Sequence, residues 1–169
     1  MPELSQERAD LLETLAGHRH FLRVTTRDIT EAQARLRTTV SELCLGGLIK
    51  HVTATERQWA RFIVEGPAVM ATPSNVDVAA WARGFTVDDA ETLAGLLAEY
   101  EKVAAKTDQL VRTLPDLDAS QPLPEAPWFP QGARWSARRV LLHIITETSQ
   151  HAGHADIIRE TLDGAKTMG

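Results

Sequence analysis

Apolar residues recur every three or four positions in four long segments of the chain, which is the spacing of a helix with one buried face. The segments cover residues 6–27, 41–65, 87–114 and 136–162. Gly66-Pro67 ends the second segment and Pro115 ends the third, because proline cannot continue a helix. A shorter helical turn is predicted at 31–36, with Thr30 as its N-cap. No segment alternates apolar and polar residues as a strand does, so we predict an all-α fold.

Residues that favour helix ends mark four of the predicted boundaries. Ser41 and Ser136 are the predicted N-caps of the second and fourth helices. Thr86 is followed three residues later by Asp89, which resembles an acidic capping box and predicts the start of the third helix. Gly164 lies just beyond the fourth helix, in the usual position for a C-terminal stop.

The lengths of the helices and of their connections predict a four-helix bundle. Helices of roughly 20 to 27 residues are about 30–40 Å long at 1.5 Å per residue. The connections at residues 66–85 and 115–135 are longer than simple antiparallel neighbours need. We therefore predict a single domain over residues 1–169 with an up-down-down-up path and a long crossover between helices 2 and 3. A plain up-down bundle with decorated loops is the open alternative.

Composition narrows the function. The chain has 169 residues, of which 43 % are hydrophobic and 24 % charged, and its net charge is −5, so it is expected to fold around a real core. With 18 basic and 23 acidic residues it has no broad cationic field for nucleic acid. No membrane span or secretory signal is recognisable, and we expect a cytoplasmic protein. Cys44 is the only cysteine, so it cannot form an internal disulfide and is predicted to be a buried structural thiol.

The fourth predicted helix carries an unusual row of titratable residues. His143, Glu147, His151 and His154 are spaced so that all four lie on one face, with apolar residues at both ends of the row. This bracketing indicates a face turned inward, where burial without a partner would be costly. Glu147 and His151 are one turn apart and can meet at one cation. A solvated Glu-His pair is the ordinary alternative.

The second predicted helix adds a further imidazole. His51 lies in the middle of this helix, shortly after Gly46 and Gly47. Each glycine disfavours the helix by about 1 kcal/mol relative to alanine. Paired glycines therefore indicate that another backbone or a bulky group approaches closely. A core histidine bonded to a carbonyl is the alternative role for His51.

These motifs together resemble the DinB/YfiT-like metalloproteins, and in particular the N-terminal domain of the mycothiol-dependent maleylpyruvate isomerase branch. The resemblance covers nearly the whole chain and rests on Gly47-Leu-Ile-Lys-His51, on Trp135-Ser136, and on the segment E-T-S-Q-H-A-G-H-A-D-I-I-R-E of the fourth helix. It implies a four-helix bundle with an up-down-down-up path, and it implies a divalent ion, often zinc or nickel. Homodimers are frequent in this superfamily, so a homodimer is expected.

The resemblance also implies a ligand set. His51 and His151 correspond to family ligands, and Glu147 stands where many relatives have the first histidine of a His-x-x-x-His pair. This departure resembles the His/Glu/His variant of the isomerase branch. His154 falls beside the ligands, as an outer-sphere or substrate-facing residue. Two imidazoles and one carboxylate suit Zn²⁺, with Ni²⁺ as a second option, and three protein ligands leave coordination positions open.

Three functions are compatible with this site. The resemblance favours a metal-dependent enzyme that acts through a low-molecular-weight thiol such as mycothiol, as an S-transferase or an isomerase-like enzyme, with His154 or His143 moving a proton. A metal-dependent hydrolase ranks lower because no separate general-base carboxylate is evident. The third candidate function is that of a non-enzymatic metal-binding or stress-response protein.

Several residues near these motifs have open roles. The proline-rich segment 122–132 contains Trp128 and Phe129, and it is predicted either to roof the metal cavity or to plug the end of the bundle. Asp156 and Arg159 are predicted to form salt bridges at an interface. The residues predicted as core or dimer contacts are Trp59, Trp81 and Tyr100.

Overall fold

The computed structural model describes residues 4–70 and 83–168. Its α helices are α1 (Gln6–Val24), α2 (Glu31–Arg35), α3 (Leu45–Glu65), α4 (Leu93–Thr113) and α5 (Ala137–Asp163), with a 3₁₀ turn at Pro67–Met70. Two short strands, β1 (Ser120–Pro122) and β2 (Arg134–Ser136), pair antiparallel. The predicted all-α class is confirmed, because the described residues are mostly helical.

The expectation that the chain has no strands was wrong for this one hairpin. In the register of the pair, Gln121 faces Trp135. Each strand is only three residues long. Such a pair is too short to show a period of two in the sequence, and it forms where the connection folds back over the start of α5.

The predicted starts of two long helices were also wrong. α3 begins at Leu45 with Cys44 as its N-cap, and the Ser41 hydroxyl instead accepts the N–H of Leu43 in a local turn at 3.3 Å. α4 begins at Leu93, whereas the hydroxyl of Thr86 donates to a carbonyl three residues earlier. Serine and threonine hydroxyls cap helices and stabilise turns with equal ease, and this explains both errors.

The end of α1 lies earlier than predicted, at Val24 and not at residue 27. The hydroxyls of Thr25 and Thr26 each donate to a carbonyl three residues back, and Asp28 follows with a φ of 59°. This left-handed residue turns the chain away from the helix axis.

Other predicted helix ends agree with the structure. Thr30 caps α2 in a reciprocal capping box with Gln33. The Ser136 hydroxyl accepts the N–H of Arg139 at 3.2 Å at the start of α5, and Gly164 ends that helix with a φ of 78°. A left-handed glycine costs little there, because glycine has no Cβ to clash.

Contacts between helix ends show how α1 and α5 run. Glu7 and Arg138, near the two N-termini, form an ion pair. At the other end Arg159 donates to the carbonyl of Thr25 at 2.9 Å and pairs with Asp163 at 2.8 Å. α1 and α5 are therefore parallel neighbours. Arg159 forms a salt bridge, as predicted, with Asp163 of its own helix. The interface predicted for it stays a prediction.

Contacts between the other two long helices show how these two run relative to each other. Lys50 near the start of α3 pairs with Glu91 just before α4 at 2.8 Å, and Arg57 pairs with Glu99 one to two turns later at 2.9 Å. α3 and α4 are therefore parallel to each other. These contacts are the ones that an up-down-down-up path requires; the path itself and the homodimer stay predictions.

The core contains an ion pair as well as apolar side chains. Arg19 of α1 donates from Nε to Glu56 of α3 at 3.2 Å and from Nη1 to Asp108 of α4 at 2.7 Å. Glu56 is only 1 % exposed. Trp59 and Tyr100 are buried in the core, as predicted, whereas Trp81 lies outside the described residues. Across residues 4–70 and 83–168, every helix is too short or too polar to cross a membrane.

Candidate metal centre

The structure brings His51, Glu147 and His151 together between α3 and α5. One ligand atom from each residue lies within 4.8 Å of the others. Nε2 of His151 is 3.7 Å from Oε2 of Glu147, one helical turn away, and the rings of His51 and His151 meet edge to face with centroids 4.8 Å apart. The three residues implied by the resemblance therefore converge on one point.

The position of His51 depends on how the chain before α4 packs on α3. A Cβ on Gly47 would lie 1.8 Å from the carbonyl oxygen of Phe85, so only glycine lets this backbone come so close. The same carbonyl lies 3.9 Å from Sγ of the buried Cys44. The Phe85 ring then stacks on His51, with centroids 3.9 Å apart and planes 21° apart. The close approach predicted from the paired glycines is confirmed, and it fixes one face of the imidazole.

His154 contacts the nitrogen of His151 that faces away from Glu147. Nδ1 of His154 is 3.4 Å from Nδ1 of His151, whereas Nε2 of His151 points toward the carboxylate. A hydrogen bond at Nδ1 selects the tautomer that leaves Nε2 with its lone pair. His154 therefore contacts the edge of the His151 ring that lies away from Glu147.

His143 lies on the other side of Glu147. Its Nε2 is 3.8 Å from Oε1 of Glu147. Its ring meets Trp59 and Trp135 edge-on, with centroid distances of 4.8 Å and 5.1 Å. Glu147 thus lies between the imidazoles of His143 and His151, and the two tryptophan rings fix the orientation of His143.

Burial changes the protonation of this cluster. It lowers the pKa of His51 to about 4, with a smaller contribution from the nearby His151. Burial also lowers the pKa of His151 and of His143, the latter with help from Arg139. It raises the pKa of the Glu147 carboxyl. The imidazoles are therefore neutral near pH 7, as metal ligands must be, and a cation would offset the cost of holding a carboxylate there.

The donor set fits a divalent ion of the borderline class. Two imidazole nitrogens and one carboxylate oxygen bind such ions at about 2.0–2.2 Å, which separates ligand atoms by about 3.3–3.6 Å at tetrahedral angles. The ligand atoms here lie within 4.8 Å of one another, so the side chains would have to rotate inward around an ion. Among the residues that the structure describes, only these three form such a group, which would leave coordination positions open.

A cavity of about 640 Å³ opens beside these residues. His51, Glu147 and His143 line one part of it. The aromatic residues that line the remainder are Trp59, Trp128, Phe129 and Trp135. The segment 122–132 thus contributes both to the cavity wall and, through Phe129, to the apolar core.

A family model described as mycothiol S-transferase matches residues 10–164. The chain belongs to this family. The match agrees with the predicted DinB/YfiT-like superfamily and covers the two helices that carry the candidate ligands. No curated protein and no solved structure matches the chain.

Sequence reasoning missed one residue of this candidate site and left the role of another open. Phe85 was not singled out, although the glycines that admit it were. Trp128 was identified only as part of the segment 122–132, which was predicted either to roof the metal cavity or to plug the end of the bundle. In both cases the sequence signal was indirect, because each residue reaches the site from a long connection and not from a helix with a predictable face.

Proposed function

We propose that this protein is a metal-dependent S-transferase that joins a low-molecular-weight thiol, mycothiol in the first instance, to an electrophilic carbon. The observation that carries the proposal is the convergence of His51, Glu147 and His151 beside a cavity large enough for a small substrate, which His51 and Glu147 line. The family of the chain supports the choice of thiol.

The proposed ligands each have a distinct task. His51 and His151 supply neutral imidazoles, and Glu147 supplies a negative charge that partly balances a divalent cation. A divalent ion held here would lower the pKa of a thiol bound to it and so favour thiolate near neutral pH. His154, 3.4 Å from His151, holds that ring in the tautomer that presents Nε2.

The reaction also requires a proton acceptor. The thiol proton leaves when the thiolate forms, and the sulfur then bonds to the electrophilic carbon while a leaving group departs from that carbon or its π bond breaks. His143 lines the cavity and is neutral near pH 7, because burial lowers its pKa. We assign the proton to His143 Nε2, since His154 lies behind His151. The aromatic side chains beside His143 exclude water from the nucleophile.

The test combines metal analysis with a conjugation assay on the untagged, full-length protein. We expect about one equivalent of Zn²⁺ or Ni²⁺ per chain, and we expect mycothiol to change the visible absorption of the Co²⁺-substituted protein. His51→Ala, Glu147→Ala and His151→Ala should each lose the metal and lower the rate of mycothiol conjugate formation by at least about 100-fold. His20→Ala, which removes an exposed imidazole from α1, is the matched control.

Two results would contradict the proposal. Retention of the metal in a variant that carries all three substitutions, His51→Ala, Glu147→Ala and His151→Ala, would show that the ion binds elsewhere. A bound metal whose Co²⁺ spectrum ignores saturating mycothiol, with no conjugate detected by mass spectrometry, would favour a non-enzymatic metal-binding role. Turnover of esters or amides in that same preparation would favour the hydrolase.

A further inference from the structure

The cavity has a second chemical feature that the metal ligands do not explain. Trp128 lines it and is 56 % exposed, although tryptophan is rarely left in water. The adjacent Phe129 is partly buried, packs against the core, and meets Trp135 at a centroid distance of 5.8 Å. Phe129 therefore anchors the segment, and Trp128 stands at the cavity without a comparable packing role.

The other two tryptophan rings that line the cavity are covered by neighbouring side chains. Trp59 is 6 % exposed and stacks on Trp135, with centroids 4.9 Å apart and planes 20° apart. The guanidinium carbon of Arg139 lies 4.2 Å from the centroid of Trp135, and two groups this close cannot share one face of a ring. Both faces of Trp135 are therefore covered. Among the described indole rings that line the cavity, Trp128 is the one with accessible face area.

The segment that carries Trp128 is held in place before any ligand arrives. The N–H of Leu123 donates to the carbonyl of Ala133 at 2.9 Å, and the N–H of Phe129 donates to the carbonyl of Ala126 at 3.0 Å. Four prolines between residues 122 and 130 restrict the backbone further. A preorganised aromatic ring loses little entropy on binding, so it is suited to recognition.

We propose that Trp128 selects the acceptor substrate by stacking on a flat, unsaturated ring attached to the reactive group. This inference rests on the proposed S-transferase function and names the class of its second substrate. Aromatic rings favour offset or edge-to-face contact with one another, at a gain equivalent to about 2- to 12-fold in affinity beyond area burial. The acceptor would lie between Trp128 and the residues that hold the thiol.

The experiment uses two acceptors that differ only in the planarity of one ring: N-benzylacrylamide and N-(cyclohexylmethyl)acrylamide. In both, the thiol sulfur bonds to the terminal alkene carbon, the carbon–carbon π bond breaks, and the thiol proton ends on the adjacent carbon. We expect the wild-type protein to show the lower KM for the benzyl compound. Trp128→Leu should raise that KM about 3- to 10-fold and remove the preference, with kcat changed less than about 2-fold, while Trp128→Phe should retain most of the preference.

A binding measurement without chemistry separates this inference from the proposed function. N-benzylpropanamide, the saturated and unreactive analogue, should bind the wild-type protein more tightly than Trp128→Leu in calorimetry. If no conjugate forms but this difference is found, the S-transferase proposal fails, whereas recognition of an aromatic ring by Trp128 stands. Equal binding to both proteins, or an unchanged KM ratio, overturns the inference. The inference is also overturned if Trp128→Leu changes only the oligomeric state of the protein. Ile157→Ala, which removes another exposed apolar side chain, is the control for that measurement.

Discussion

The carbonyl oxygen of Phe85 occupies the space where a side chain would begin on Gly47. A Cβ there would lie 1.8 Å from that oxygen, a distance at which the backbone must move. Because the Phe85 ring stacks on His51 at 3.9 Å, any movement of this segment reaches the candidate metal centre directly. Gly47 is thus a positioning residue, one turn before the ligand that it serves.

We expect Gly47→Ala to destabilise the protein and to weaken metal binding together. Forcing a methyl group into a filled site typically costs about 1–3 kcal/mol, and the displaced Phe85 no longer fixes the His51 ring. Urea unfolding of the metal-free protein and titration with Co²⁺ measure the two effects.

Gly153 provides the matched control for this prediction. It lies within helix α5 and a Cβ there would meet nothing within 4 Å. Gly153→Ala should therefore stabilise the protein by up to about 1 kcal/mol through helix propensity alone. If Gly47→Ala behaved in the same way, the close approach of Phe85 would not constrain the site.

His154 is expected to affect metal affinity without being a ligand. Its contact with Nδ1 of His151, at 3.4 Å, fixes the tautomer of that ring. Loss of such an outer partner typically lowers metal affinity about 10- to 100-fold. His154→Ala should show this loss in a competition titration with a chelator, whereas His154→Asn, which keeps a hydrogen-bonding group near Nδ1, should recover part of it. Equal metal affinity in the wild-type protein and both variants would show that His154 has no part in metal binding.

The stability of the metal-free protein should fall as the pH is lowered from about 6.5 to about 4. His51 has a folded pKa of about 4, below its ordinary value of 6.5, so the unfolded chain binds a proton that the folded chain refuses over this range. Burial lowers the pKa of His151 in the same direction. Allowing for solvent screening of a partly exposed ring, the loss from His51 is about 1–3 kcal/mol. The raised pKa of Glu147 opposes it at the acid end of the range.

Unfolding in urea at several pH values, with a chelator present, measures this effect. His51→Gln cannot be protonated and should flatten the dependence between pH 6.5 and 4, whereas His20→Gln on the exposed side of α1 should leave it unchanged. A slope as steep in His51→Gln as in the wild-type protein would assign the acid sensitivity to other groups.

The part of the site on α5 could be predicted from spacing alone. Glu147 and His151 are four residues apart on a helix whose ends, at Ser136 and Gly164, are marked in the sequence. Helical periodicity fixes which residues share a face, so their meeting follows from geometry. His51 lies on another helix, and its place opposite them came from the family resemblance.

The contributions of the long connections could not be predicted in this way. Phe85 stacks on His51 and Trp128 lines the cavity, and both positions depend on tertiary packing, which has no period in the sequence. The starts of α3 and α4 were wrongly predicted at Ser41 and Thr86 for a related reason. Each hydroxyl forms a hydrogen bond in a local turn and does not cap a helix, and the sequence does not distinguish these two roles. Sequence patterns therefore predicted that the candidate ligands on α5 meet, but not which residues form the walls around them.

The buried ion pair between Arg19 and Glu56 is expected to matter far more than pairs on the surface. Glu56 is 1 % exposed, and Arg19 also binds Asp108 at 2.7 Å, so removing either partner leaves a buried charge uncompensated. Arg19→Met should cost about 3–5 kcal/mol in the free energy of unfolding, while the double variant with Glu56→Leu should regain much of that loss because both desolvated charges are gone. Arg57→Met, which breaks the half-exposed pair with Glu99, should cost about 0–1 kcal/mol. Urea unfolding at pH 7 compares the three, and a double variant no better than Arg19→Met would show that the pair itself stabilises the bundle.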